Sequence, residues 1–225
     1  MKLAATQTFK TVSYLLAHPN TSQVEISRKV GASRDLVNYV VRDLQTLGIV
    51  RQQSRGHLEL RDPLRLLDAL SIQRPLSRLV IEEIRTEQSE ISRAEKMVKS
   101  AARGDYALTC FSALSKYIEY YITYPTVHVY SGSPDELQKA LIRGRGDVVV
   151  QVLRPDSELI FKNARKLRDL KVVEPIQAVI DLFCLGGPGR DGAVKLYQSL
   201  TEQIGRKEIE KKGSSVRKSL VQRAA

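Results

Sequence analysis

The chain has 225 residues, of which 42% are hydrophobic, so a packed core is expected and wholesale disorder is excluded. Cys110 and Cys184 are too few for a disulfide scaffold and too far apart for a zinc site, and no apolar run is long enough to span a membrane. The formal net charge of +11 favours an anionic partner, with nucleic acid as the leading candidate.

The excess positive charge lies at the two ends of the chain. Residues 1–60 hold eight basic and four acidic residues, and residues 201–225 hold seven basic and three acidic, so each segment carries +4. This pattern predicts a basic binding module, a nearly neutral body and a basic tail. The opening MKLAATQTFK lacks the apolar stretch of a secretory signal, and we expect a cytoplasmic, nucleoid-associated protein.

Two short helices are predicted near the N-terminus. The first, over 6–18, has an apolar face and ends at Pro19. Ser22 and Glu25 form a capping-box pattern, in which each side chain bonds to the backbone amide of the other residue, and this pattern opens the second helix. Gly31 closes it, because glycine adopts the left-handed conformation without steric cost.

A third helix and a hairpin complete the N-terminal module, residues 1–62. Ser33 caps the helix, which extends over 34–47. Its apolar face consists of Val37, Val40, Val41, Leu44 and Leu47. Two short helices joined by a glycine turn form a helix-turn-helix unit. Residues 49–53 and 57–60 are predicted strands around a tight turn at 54–56, which is the arrangement of a wing.

The segment SQVEISRKVGASRDLVNYVVRDLQTLGIV resembles the winged helix-turn-helix family, and the resemblance covers nearly the whole module. It implies that the third helix is a recognition helix, which enters the major groove of DNA. Winged helices also serve as protein-interaction modules. The +4 charge of the module and the polar outer face of the third helix favour double-stranded DNA as the partner.

The outward residues of the third helix are the predicted DNA contacts. Arg34 has the side chain that bonds two acceptors of guanine, and Asn38 has the one that bonds adenine. Arg28, Lys29 and Arg42 are placed for phosphates. The full predicted set is Arg28, Lys29, Ser33, Arg34, Asp35, Asn38, Tyr39, Arg42 and Arg55, in which Ser33 is chiefly a helix cap and Arg55 stands at the wing tip.

A linker helix is predicted over 63–77, with Leu64, Leu66, Leu67 and Leu70 on one face and Pro75 near its end. Two interpretations stand for residues 78–103. The segment is either a strand followed by a helix from about Ser89, which we favour, or one long helix suited to a dimer stalk.

Alternating strands and helices over 78–205 indicate an α/β domain. Strands are predicted at 106–109, 127–130, 147–153, 159–161 and 171–174. Helices are predicted at 111–121, after a Ser133 cap, at 176–185 and from about 191 to 204. The predicted fold class is therefore α+β or α/β, a winged helix-turn-helix followed by a small α/β domain.

The strings YALTCFSALSKYI, VHVYSG and VVEPIQAVIDLFCLGGPGRDGAVKLYQSL resemble the C-terminal domain of AbiEi-type antitoxin-like regulators, over roughly residues 78–204. The resemblance implies a minimal nucleotidyltransferase-like fold and a DNA-binding autoregulator. It also implies an alternative function, in which the protein is an antitoxin that neutralises a nucleotidyltransferase-like toxin bound to the α/β domain.

An active nucleotidyltransferase is disfavoured by the residues themselves. Such an enzyme holds Mg²⁺ with two carboxylates one residue apart on a strand that follows a Gly-Ser turn. Asp147 stands alone at the start of its strand, and Val149 occupies the position of the second acid. Asp156 and Glu158 have the spacing but lie near Pro155 in a predicted loop. We therefore expect no catalytic residue, no metal site and no cofactor.

Several other features leave alternatives open. The glycine-rich loop over 186–192, with Arg190, could cradle a phosphate, but a plain connection between helices is favoured. His18, His57 and His128 are dispersed, and both cysteines are interpreted as core residues. Tyr117, Tyr120, Tyr121 and Tyr124 form either a partner surface or part of the core.

The basic tail over 206–225 either adds a phosphate grip or serves solubility alone. Its basic residues include Arg206, Lys207, Lys211, Lys212, Arg217 and Lys218. One winged helix makes few DNA contacts, so a homodimer is expected. The chain is thus predicted to be a sequence-specific transcriptional regulator rather than an enzyme.

Overall fold

The computed structural model describes residues 1–53, 56–121 and 124–203, and these residues form two β-sheets with helices packed on them. The N-terminal elements are α1 (Thr6–Ala17), β1 (Asn20–Ser22), α2 (Gln23–Val30), α3 (Arg34–Thr46), β2 (Val50–Gln52) and β3 (His57–Leu60). The three strands make an antiparallel sheet in the order β1-β3-β2. The sequence signals predicted the three helices and the hairpin but missed β1, a three-residue strand against β3.

The remaining elements belong to a larger mixed sheet and its helices. They are α4 (Pro63–Gln73), a 3₁₀ turn (Leu76–Leu79), β4 (Val80–Arg85), α5 (Ile91–Ala101), β5 (Tyr106–Thr109), α6 (Cys110–Tyr117), β6 (Thr126–Ser131), α7 (Pro134–Ala140), β7 (Val149–Leu153), α8 (Leu159–Lys162), β8 (Arg165–Leu167), β9 (Leu170–Val172), α9 (Pro175–Leu185) and α10 over 188–203. The strand order is β4-β7-β6-β5-β9-β8. The pairs β6–β7 and β5–β9 are parallel, and the other three pairs are antiparallel.

The mixed α/β character of this part agrees with the predicted fold class, and so does the strand followed by a helix in β4 and α5. Two other predictions were wrong. The apolar run at 159–161 is the helix α8 rather than a strand, because a short apolar run has the same pattern in both structures. Ser133 stands before α7 but makes no side-chain cap bond. The strand β8 was not predicted.

Strands β5 and β6 are buried on both faces, which shows that helices cover the sheet on both sides. Successive side chains alternate between the faces, so Tyr130 of β6 and its register neighbours point one way and Val129 the other. The side chains of Tyr130 and Thr109 both bond to Asp181 of α9, which places α9 over that face. Helices α5 and α7 contact β4, β6, β7 and β9.

Helix α4 joins the two sheets and packs along α9. Its buried face consists of Leu66, Leu67 and Leu70, whereas Leu64 is exposed, so the predicted apolar face was wrong at that residue. Asp62 caps the helix by accepting a bond from the amide of Arg65. Arg74 directly follows α4, and its side chain is buried in the protein interior.

Arg74 is 4% exposed and uses all three nitrogens of its guanidinium. Nε lies 2.5 Å from Asp156, Nη1 lies 2.8 Å from Asp181, and Nη2 lies 2.9 Å from the Tyr130 hydroxyl. The group also lies over the ring of Phe9 in α1, 5.2 Å from its centroid, which is the geometry of a cation–π contact. One side chain thus connects α1, α4, β6, α9 and the loop before α8.

The carboxylate of Asp181 is fully buried and accepts further hydrogen bonds. Thr109 donates at 2.6 Å, Gln177 at 2.9 Å and Tyr130 at 3.1 Å. Burial raises the pKa of Asp181, and the Arg74 guanidinium opposes that rise. A buried charge pair of this kind is tolerated only when its remaining polar atoms are bonded, and here they are.

Replacing Arg74 with methionine should strongly destabilise the protein, because it leaves the Asp181 carboxylate buried without its counter-charge. We expect the free energy of unfolding to fall by about 3–5 kcal/mol, measured by urea denaturation. The matched control is Arg93→Met. Arg93 forms an exposed ion pair with Glu90 on α5, and its loss should cost less than about 1 kcal/mol.

The loss in Arg74→Met should depend on pH. Without the guanidinium, the pKa of buried Asp181 lies further above its value in the unfolded chain, so the folded variant takes up a proton as the pH falls. The difference in stability from the wild type should therefore shrink as the pH is lowered and grow as the pH rises. A difference that is equal at acidic and neutral pH would contradict this electrostatic origin.

Candidate nucleic-acid interface

Helix α3 is held in place by one completely buried face. Val37, Val40, Val41 and Leu44 are fully buried against a core that includes residues of α1 and α2. Leu47 was predicted to share this face but is 43% exposed, because α3 ends at Thr46 and the chain turns there. With four apolar residues inward, the polar residues of α3 face outward.

The turn between α2 and α3 is fixed by the conformation of one glycine and by two hydrogen bonds. Gly31 has φ of 66°, in the left-handed region that glycine adopts freely. The Ser27 hydroxyl donates to the Ala32 carbonyl at 2.7 Å across the turn, and the Ser33 hydroxyl accepts from the Leu36 amide at 3.2 Å. These bonds set the direction in which α3 leaves the turn.

The predicted capping box before α2 is half present. The Ser22 hydroxyl accepts from the Glu25 amide at 3.2 Å, as expected. The Glu25 carboxylate does not complete the box, since it accepts from the Tyr14 hydroxyl at 3.2 Å and from Thr21 at 3.1 Å. Glu25 therefore joins α2 to α1, a contact between helices that the local pattern does not reveal.

The outer face of α3 is polar and exposed. The residues that the sequence assigned to it, and that are exposed, are Ser33, Arg34, Asp35, Asn38, Tyr39 and Arg42. Tyr39 is 53% exposed, so its ring is available to a partner. Within the described residues, neither Arg34 nor Arg42 forms an ion pair, so both guanidinium groups are available to an anion.

The predicted phosphate contacts are distributed around this face. Arg28 and Lys29 are exposed in the last turn of α2, next to the turn that leads to α3. Arg55 of the wing lies outside the described residues. Arg51, which is not among the predicted contacts, is exposed on β2 of the wing. The sequence pattern that indicates this exposure is the alternation of side chains along a strand, which turns Val50 inward and the next residue outward.

Residues 6–51 match a family model described as winged helix-turn-helix DNA-binding. The N-terminal domain is a winged helix-turn-helix DNA-binding domain. The match covers α1, α2, α3 and the start of the wing, which are the elements that build the exposed polar face. No curated protein matches the chain at a significant level. None of the helices in the described residues is long and apolar enough to cross a membrane.

The other features singled out in the sequence do not join the face of the winged helix-turn-helix domain. Helix α10 begins at residue 188, inside the predicted glycine loop. Arg190 pairs with Asp68 of α4 and lies over the Phe183 ring, 4.3 Å from its centroid, so it is not free to hold a phosphate. In the described residues, no three His, Cys, Asp or Glu side chains come together as a metal site.

The two acids with the spacing of a metal pair have different surroundings in the structure. Asp156 bonds to Arg74, whereas Glu158 is exposed at the start of α8. Burial lowers the pKa of His128 to about 4, so its ring is neutral at physiological pH. His18 and His57 are exposed.

Both cysteines are buried, as predicted, and burial raises the pKa of Cys184 to about 12. The tyrosine cluster divides between the core and the surface. Tyr117 donates to the Val173 carbonyl, Tyr120 donates to Asp191 and the Tyr124 ring stacks on Phe111. Tyr121 is 95% exposed.

Replacing Ser33 with alanine should destabilise the winged helix-turn-helix domain, because the Leu36 amide at the start of α3 loses its acceptor. We expect a loss of about 1 kcal/mol in the free energy of unfolding, measured by urea denaturation. Ser133→Ala is the matched control, since Ser133 precedes α7 without a side-chain cap bond. Equal losses in the two variants would show that the Ser33 bond has no stabilising effect.

Proposed function

We propose that the protein is a sequence-specific, DNA-binding transcriptional regulator that acts by occupying double-stranded DNA. The observation that carries the proposal is the exposed polar face of α3, with Arg34, Asn38 and Arg42 on a helix whose opposite face is completely buried. In this domain type the corresponding helix lies in the major groove, where arginine and asparagine side chains bond to base edges.

The charge distribution supports the same proposal. The domain that holds α3 carries a net +4, whereas residues 104–200 hold twelve basic and eleven acidic residues. A basic face on a nearly neutral body concentrates the attraction to phosphates on one side of the molecule. Helix α9 of the α/β part contacts the N-terminal domain through α1, and the outer residues of α3 remain exposed.

Arg34→Ala should lower the affinity for the preferred DNA site by about 1–3 kcal/mol and relax the preference at one base pair, because a two-bond contact to a base is lost. A selection from random duplexes, followed by fluorescence anisotropy on the selected and scrambled sites, measures both effects. An equal loss on all sequences would assign Arg34 to a phosphate instead.

Arg42→Ala should weaken binding to every duplex by a similar factor, because a phosphate contact carries no sequence information. The slope of log affinity against log salt should become shallower by about one. The control for both variants is Arg93→Ala, which removes an arginine from α5, outside the N-terminal domain, and should change neither affinity nor slope. Loss of sequence preference in Arg42→Ala would overturn its role.

A homodimer and a phosphate-binding tail extend the proposal. One winged helix contacts few base pairs, so a two-fold symmetric site bound by two copies would supply the missing specificity. The tail over 206–225 lies outside the described residues, and its lysines and arginines are the reason to assign it to phosphates. Deleting residues 206–225 should then make the salt slope shallower, and an unchanged slope would assign the tail to solubility.

The α/β part is a candidate for binding a second protein, as the resemblance to AbiEi-type antitoxins implies. Tyr121 and Ile142 of this part are exposed and therefore available to a partner surface. Co-expression with a nucleotidyltransferase encoded beside the gene, followed by size-exclusion chromatography, tests the antitoxin function. Separate elution of the two proteins would contradict it.

A further inference from the structure

A cavity of about 300 Å³ lies between the winged helix-turn-helix domain and the α/β part. One wall comes from α1 and the last residues of α2, and the other comes from α8 and the start of α9. Its volume equals that of about ten water molecules, at the small end of the range for ligand sites. Binding sites occur preferentially at such boundaries between domains.

Residues of opposite charge line this cavity. Lys10 and Lys29 line it from the DNA-binding domain, and Glu174 lines it from the α/β part. None of the three forms an ion pair within the described residues. Glu174 precedes α9 but makes no side-chain cap bond, so the helix does not use its carboxylate. Burial raises the pKa of Glu174, and a hydrogen bond with Asn163 and the charge of Arg165 oppose that rise.

The rest of the lining is suited to an apolar group. The rings of Tyr14 and His18 lie 4.3 Å apart, and Phe9 adds a third aromatic ring. Ile160 and Ile176 supply aliphatic surface on the other wall. Ser13 also lines the cavity, although its hydroxyl is buried and has no hydrogen-bond partner in the described residues. The cavity therefore combines separated charges with an apolar surface.

We propose that this cavity binds a small zwitterion, an α-amino acid with an apolar side chain, as an effector. Lys10 and Lys29 hold the carboxylate, Glu174 holds the ammonium group, and the aromatic wall takes the side chain. Lys29 is also a predicted phosphate contact, and it lies two residues before the turn into α3. A ligand at Lys29 therefore changes the position or charge of the DNA-binding face, and this step rests on the proposed function.

Isothermal titration calorimetry with the full chain tests ligand binding without DNA. The probes are L-leucine, L-isoleucine, L-phenylalanine and L-tyrosine, with 3-phenylpropionate and phenethylamine as analogues that each lack one charge. We expect at least one amino acid to bind with a dissociation constant below 1 mM, a standard free energy of at least about 4 kcal/mol, and each analogue to bind at least tenfold more weakly. No saturable heat with any amino acid would overturn the proposal.

Two variants locate the site. Glu174→Gln and Lys10→Met should each weaken the amino acid at least tenfold, and Glu174→Gln should leave the affinity of 3-phenylpropionate unchanged because that probe has no ammonium group. Glu158→Gln is the matched control, since Glu158 is an exposed carboxylate on the same wall segment that does not line the cavity. Thermal unfolding confirms that the variants fold. Unchanged affinity in both lining variants would overturn the assigned site.

Coupling to DNA is measured separately, by fluorescence anisotropy on a selected duplex with and without the amino acid. We expect the affinity for DNA to change at least fivefold, and the amino acid affinity to change by the same factor when DNA is bound. Equal DNA affinity in both conditions would overturn the effector role. If the protein binds no DNA at all, the proposed function fails while the calorimetry still decides whether the cavity is a ligand site.

Discussion

The buried guanidinium of Arg74 is the interaction on which the arrangement of the two parts depends. It is bonded to Asp156 and Asp181 and to the Tyr130 hydroxyl, and it also lies over Phe9 of the DNA-binding domain. A charge removed from water at this depth is stable only while all its partners keep their places. The cluster therefore fixes α1 and α4 against α9 and the sheet, with little freedom for alternatives.

That attachment decides which surfaces of the DNA-binding domain are covered. Because α1 takes the contact with α9, the outer face of α3 stays exposed and its arginines stay unpaired within the described residues. The same attachment forms the cavity between α1 and α9, and Phe9 and Gln177 belong both to its lining and to the surroundings of Arg74. The exposed face of α3, the cavity and the buried cluster around Arg74 are thus next to one another in the molecule.

Local signals predicted the DNA-binding domain well, because its helices are specified by residues close in sequence. Ser33 and Gly31 act on amides and carbonyls within a few positions, so their roles follow from spacing alone. Local patterns gave wrong predictions where one pattern is compatible with two structures. The apolar run in α8 suits a strand or a helix equally, and Glu25 accepts hydrogen bonds from Tyr14 of α1 and Thr21 of β1 instead of completing its capping box.

The sequence by itself determined the class of the N-terminal domain, the direction of the inward and outward faces of α3, and the concentration of charge at the ends of the chain. Only the tertiary structure decided what Arg74, Arg190 and Asp156 do, because their ion-pair partners lie 82 to 122 positions away. A long-range ion pair leaves no periodic trace in the sequence, since it depends on how whole elements pack. The cavity lined by Lys10 and Glu174 could not be predicted from the sequence for the same reason.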